Sequence, residues 1–230
     1  MNRFQAFLAS EKEKIGALPN WKAKAEYIWQ YYKLWIIGIV CVIWLVGFTI
    51  YRLNTAIREN WFYVTFSATN ADVGNDSDFW EGFVEYSGYD ITEKNVMFNN
   101  ASYFDYTQNQ ARGNAYYNLC VAYIEAGTLD AITMTKEALV QFGSSGRLLD
   151  LSREECASIV EKYGDRLIYT QPIDEEYSED LVPVGIDVSD SRLMTEYHLY
   201  SEDCALGIGA YSQHLDAVET FLDYIFEEAE

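Results

Sequence analysis

Leu34 to Tyr51 (LWIIGIVCVIWLVGFTIY) is the one long stretch where apolar and polar positions stop alternating. At about 1.5 Å rise per residue it spans roughly 27 Å, close to the hydrocarbon thickness of a bilayer, and predicts a transmembrane helix over 34–51. The run is apolar on every face, unlike an amphipathic core helix. Tyr31, Tyr32 and Trp35 at one edge and Tyr51 at the other lie where aromatic belts form, and Lys33 and Arg52 bracket the run. The lead before it is about twice the length usual in a signal peptide, and no A-x-A cleavage pattern follows, so the segment reads as an uncleaved anchor.

Upstream, Trp21, Ala25, Ile28 and Tyr32 recur at helical spacing after Pro19, with Asn20 as cap. Phe4, Phe7, Leu8 and Ile15 form a weaker stripe. The pattern predicts two short amphipathic helices on the membrane face, or a solvated juxtamembrane tail. Downstream, residues 52–60 form a polar stem. Trp61–Ala68 (WFYVTFSA) predicts a strand, and Ser77 caps a helix at about 77–87. Asn95–Phe98 is a second strand, 99–110 a polar aromatic loop, and about 111–126 a helix with Ala115, Leu119, Ala122 and Ala126 inward, stopped by Gly127.

Leu129–Met134 is a third strand, and Thr135 caps a helix ending near Gly143. Arg147–Leu151 is a brief extended piece. Ser152 and Glu155 have capping-box spacing ahead of a helix that places Cys156, Ile159, Val160 and Tyr163 inward and is closed by Gly164. Arg166–Ile173, Val182–Val188 and part of His198–Ile208 predict strands, with an acidic loop at 174–180. Leu215, Val218, Phe221, Leu222 and Ile225 give the clearest amphipathic helix. This alternation predicts an α/β fold, a three-layer sandwich with a mixed, mainly parallel sheet, preceded by one transmembrane helix. The expected organisation is a basic segment at 1–33, the span at 34–51, a stem at 52–60 and one domain at 61–230.

Charge sharpens that division. The 230 residues carry a net −20, but residues 1–33 hold six cations and three anions, for +3. Residues 34–51 hold none. The other ten of the 16 Lys+Arg and 33 of the 36 Asp+Glu fall in residues 52–230, which carry −23. The lysines from Lys12 to Lys33 favour a cytoplasmic N-terminus and an extracellular C-terminal domain. A body this acidic repels phosphate, so no nucleic-acid partner is expected.

Candidate chemistry is sparse. His198 and His214 are the only histidines, and no G-x-S-x-G, CxxC or HExxH pattern occurs. His214 reads as a neutral surface residue and His198 as part of a strand. Asp72, Asn75, Asp76 and Asp78 miss the EF-hand spacing and read as a solvated loop. No catalytic residue, metal ligand or cofactor is expected. Cys120, Cys156 and Cys204 allow at most one disulfide within a monomer, and buried free thiols are the default. Tyr103, Phe104 and Tyr106, with Tyr116 and Tyr117 beyond, offer rings that could stack on a sugar or peptide, or lie half-buried under a loop.

Two passages carry a resemblance. AGTLDAITMTKEALVQFGSSGRLLDLS (126–152) resembles a recurring segment of extracellular solute-binding proteins of ABC importers: a small-residue turn, Asp before an apolar strand, then a helix and a "G-x-hydrophobic-x-D-L" exit. YSQHLDAVETFLDYIF (211–226) is similar to that family's closing helix. The acidic, aromatic-rich, membrane-anchored style resembles surface proteins of gut-type Gram-positive bacteria. The resemblance implies a single solute-binding-like lobe, since the residues beyond 51 leave room for only part of a second one. It also implies a ligand wall at strand C-terminal ends, with Thr133 and Thr135 beside Tyr103, Phe104 and Tyr106. The expected function is a non-catalytic, membrane-tethered binding module for a small solute, working with a transporter. The alternative is an interaction protein whose former ligand wall is filled or grips a protein partner.

Overall fold

The computed structural model describes residues 3–56, 59–104, 113–173 and 180–227. They belong to two units, residues 1–57 and 58–230. The first contains α1 (Arg3–Gly16) and α2 (Trp21–Ala56). Asn20 caps α2 as its spacing predicts, its Oδ1 accepting from the Ala23 N–H at 2.9 Å. From there α2 runs 36 residues without a break. The expected boundary at Lys33 is absent because no glycine or proline stands between Trp21 and the apolar run. The first part of the expected stem, to Ala56, is helical too. Residues Trp21–Arg52 of this helix are long and apolar enough to cross a membrane, and none of that window is buried.

α1 is pinned to α2 by one carboxylate. Glu11 Oε2 accepts from the Tyr32 hydroxyl at 2.6 Å and the Tyr27 hydroxyl at 3.1 Å, and Oε1 accepts from Lys14 Nζ at 2.8 Å. Lys14 and then Tyr32 hold the Glu11 carboxyl down at about 2.

The second unit is an α/β domain with a mixed six-stranded sheet in the order β2-β1-β3-β6-β5-β4. The strands are β1 (Asn60–Ser67), β2 (Asn95–Ser102), β3 (Ala131–Met134), β4 (Leu167–Thr170), β5 (Val182–Asp187) and β6 (Ala205–Ile208). Parallel pairing is confined to β2-β1-β3, and the ladders from β3 through β6 and β5 to β4 are antiparallel. The helices are α3 (Asp78–Ser87), α4 (Ala115–Glu125), α5 (Lys136–Gly143), α6 (Ala157–Tyr163), α7 (Arg192–Thr195) and α8 (Leu215–Phe226).

Strand periodicity divides the core. In β1, Phe62, Val64 and Phe66 join Phe79 and Phe83 of α3 and Phe221 and Leu222 of α8. Tyr63 instead joins Tyr117, Cys120 and Ile124 of α4 and Leu139 and Phe142 of α5. Aromatic rings fill the first cluster, with Phe62 and Phe221 at 5.2 Å between centroids and Phe83 and Phe98 at 5.4 Å. Such ring pairs add to what their buried area alone contributes.

Local signals set most element starts. Ser77 Oγ accepts from the Trp80 N–H at 3.2 Å, and Thr135 Oγ1 from the Ala138 N–H at 3.4 Å. Each satisfies a helix N–H that has no partner within its own helix. Gly127, at φ +66°, takes the left-handed conformation after α4, and a Cβ there would meet the Tyr211 carbonyl at 2.8 Å. Glycine alone adopts that conformation at no steric cost.

Several expectations are corrected. Ala115, Leu119, Ala122 and Ala126 face solvent, while Tyr117, Cys120 and Ile124 face the sheet. Both stripes are apolar, and the larger side chains bury more area. The Ser152 capping box does not form: Ser152 Oγ donates to Asp150 Oδ1 at 2.7 Å, and a 3₁₀ turn at Glu154–Cys156 leads into α6 without a side-chain cap. β2 extends through the polar Asn99–Ser102, because pairing with β1 supplies what propensity does not. Gly164 caps the C-terminus of α6, as expected, and also opens a further 3₁₀ turn. His198 lies in a loop at φ +47°, after the short α7.

Candidate functional site

The chain leaves β1 through α3 to reach β2 on one side, and leaves β2 through α4 to reach β3 on the other. β1 and β3 are therefore the neighbours at which the winding reverses. The crevice beyond their C-terminal ends is where open α/β sheets bind ligands.

That crevice is filled from within. Tyr200 brings its hydroxyl to 2.6 Å from the Ser67 carbonyl at the end of β1 and 2.9 Å from the Thr133 carbonyl of β3. Thr133 Oγ1 lies 3.2 Å from the same phenol oxygen. With the phenol proton directed at the carbonyls, Thr133 is the donor in that bond. Burial holds the Tyr200 phenol well above its ordinary value, so it stays a neutral donor. The same loop makes two further anchors. The Leu199 carbonyl accepts from Thr69 Oγ1 at 2.7 Å, and Asp203 Oδ1 accepts from the Lys136 N–H at 2.9 Å. Asp203 thereby places a carboxylate on the first turn of α5, the position an anionic ligand would take. Beside it, Lys136 Nζ lies 2.5 Å from Asp187 Oδ2.

Most of the described residues expected to form a ligand wall are engaged within the fold. Thr133 is fully buried against Tyr200, and the Thr135 hydroxyl is used as the α5 cap. Phe104 is buried, edge-on to Tyr117 at 5.6 Å. Tyr103 is 47% exposed and edge-on to Tyr116, itself 46% exposed, at 6.2 Å. Tyr106 lies outside the described residues.

A second polar centre sits at the opposite end of β3. Asp130, with no exposed surface, accepts from the Tyr63 N–H at 2.9 Å on Oδ2. Its Oδ1 accepts from Ser212 Oγ at 2.7 Å and lies 3.1 Å from His214 Nδ1. Burial raises the Asp130 pKa, against the pull of Ser212, Tyr63 and His214. His214 is thus not the free surface residue its position suggests. The cluster does not have triad geometry: the serine donates to the carboxylate, and the imidazole Nδ1 meets that same oxygen. The only local hint in the sequence is a carboxylate directly before a short apolar strand. Its partners Tyr63, Ser212 and His214 lie 67, 82 and 84 positions away. Alongside, a shallow polar cavity of about 490 Å³ is lined by Arg153, Glu155, Tyr211, Gln213 and Asp216 among others. Among the described residues no group of three or more His, Cys, Asp or Glu could hold a metal ion.

No family model matches the chain, and no curated protein or solved structure matches it.

Proposed function

We propose that the chain is a single-pass membrane protein whose acidic α/β domain holds a protein partner and acts without catalysis. The observation that carries this reading is the closed strand-end crevice: Tyr200 and Asp203 hold the positions where a small solute would be bound. Core clusters containing residues from both faces of β1 support a three-layer sandwich of the solute-binding-lobe type, with its former ligand wall filled. The lysines before the span support an N-terminus in the cytoplasm and the domain outside. The partner is expected to present a cationic face. Lys94, Lys136, Arg153, Lys162, Arg166 and Arg192 are already paired with carboxylates of the same chain, which leaves the surface strongly anionic.

Crosslinking in intact membranes followed by purification tests the reading. The expected result is a stoichiometric protein complex that salt weakens. A protein recovered alone, whose full-length form shows a saturable thermal shift with a sugar, amino acid or peptide, supports the solute-binding alternative instead.

A further inference from the structure

We propose that the part of α2 preceding the span is a docking face for a protein partner whose apolar groove is rimmed with carboxylates. This rests on residues 34–51 crossing the bilayer and is independent of what the α/β domain binds.

α2 is one continuous helix, so its first turns cannot lie flat on the membrane that its middle crosses. Trp21 stands thirteen residues before Leu34, about 20 Å beyond the hydrocarbon edge, whereas the headgroup layer adds only about 5–8 Å on each side. A tilt of about 20° removes only about 1 Å from that height. Trp29 lies at headgroup level, but Trp21 and Ala25 stand in water beyond the reach of lipid.

Trp21 is 73% exposed and Trp29 is 57% exposed. With the exposed Ala25 between them and Lys33 beyond, they recur every four residues along one side of α2. Lys22 Nζ lies over the Trp21 ring, 5.9 Å from its centroid. That placement sets a cation against the negative face of the indole. Tyr27 and Tyr32, which bond to Glu11 of α1, engage a different part of the surface. Among the described residues, Lys12, Lys22, Lys24 and Lys33 have no ion pair, since Glu11 is taken by Lys14. Indoles seek a desolvated pocket, and unpaired lysines around them seek carboxylates, which is the pattern of a helix laid into a groove. A second copy of the same basic segment is the wrong charge.

A cysteine at Ala25 reports on the face. The full chain carrying Ala25→Cys is treated with a polar maleimide in native membranes opened by freeze–thaw. The same is done with purified full chain in nanodiscs of phosphatidylcholine and phosphatidylglycerol. Labelling is expected to be about tenfold slower in the native membranes than in the nanodiscs. Adding Trp21→Ala or Lys22→Glu should restore the fast rate in native membranes. Glu13→Cys on α1 should label equally fast in both, showing that the reagent reaches the segment. Equally fast labelling of Ala25→Cys in both preparations overturns the proposal. Slow labelling in the nanodiscs also overturns it, because lipid or a second copy then covers the face.

Discussion

The Tyr200 hydroxyl lies 2.6 Å from the Ser67 carbonyl, although the two residues are 133 positions apart. This contact joins the end of β1 to the loop entering β6. Tyr200→Phe keeps the ring and removes the hydroxyl, leaving the buried Thr133 hydroxyl without its acceptor. The expected cost is about 1–3 kcal/mol, read from urea unfolding of the full chain in detergent. Thr133→Val should cost less in the Tyr200→Phe background than alone, because the two hydroxyls share one bond. Full additivity would show that they are not partners.

Asp130 gives a pH signature. Its folded pKa lies above its unfolded value, so its contribution to stability is fully present below the unfolded value and is lost as pH rises through the folded one. The window therefore opens at the ordinary aspartate value and extends upward. Asp130→Asn removes this titration but sets its amide N–H₂ against the Tyr63 N–H or the Ser212 hydroxyl, at a cost of about 1–3 kcal/mol. Urea midpoints measured across mildly acidic to neutral pH should show the stability advantage of wild type over the variant shrinking as pH rises. An advantage that grows with pH would mean the folded pKa is depressed.

The thiols of the α/β domain should be inert. Cys120, Cys156 and Cys204 are buried and free of disulfides. Burial pushes Cys120 up to about 12 and Cys156 to about 11, and raises Cys204 strongly. A thiol held this far above its ordinary value supplies almost no thiolate to react. Alkylation of the folded protein at mildly alkaline pH is expected to leave all three unlabelled, and denaturation without reductant should then label all three. A missing label after denaturation would reveal a disulfide.

The proposed span has its own test. Val42→Arg places a charge near the centre of the apolar run, at a cost of about 2.5–3.5 kcal/mol on insertion scales. Carbonate extraction should release part of the variant and none of the wild type. Reporter fusions should place the N-terminus in the cytoplasm and the C-terminus outside.

What is legible in the sequence is what depends on neighbours along the chain. The caps at Asn20, Ser77 and Thr135, the left-handed Gly127 and the apolar face of α8 each rest on residues a few positions apart, and each forms. The face of α4 is not legible, because alanines at one spacing and Tyr117, Cys120 and Ile124 at another make equally apolar stripes. The Ser152 capping box fails for a related reason: Asp150, two residues back, offers its hydroxyl a competing bond. The crevice reads as open in the sequence because the residues that close it come from the 196–204 segment, far from β1 and β3 along the chain. Thr133 and Thr135 stand on β3 and at its exit, as their positions predict, but their hydroxyls serve Tyr200 and α5.

Hydrogen exchange in the ligand-free full chain tests most directly whether the strand-end crevice is closed. The Lys136 N–H is held by Asp203 and the Cys204 N–H by Ser189 Oγ at 3.1 Å. If the loop is a fixed part of the fold, both amides should exchange within about tenfold of the buried Ile132 amide in β3. Exchange at the solvent-limited rate at Lys136 and Cys204, with Ile132 still protected, would show that the loop opens and would contradict the closed crevice.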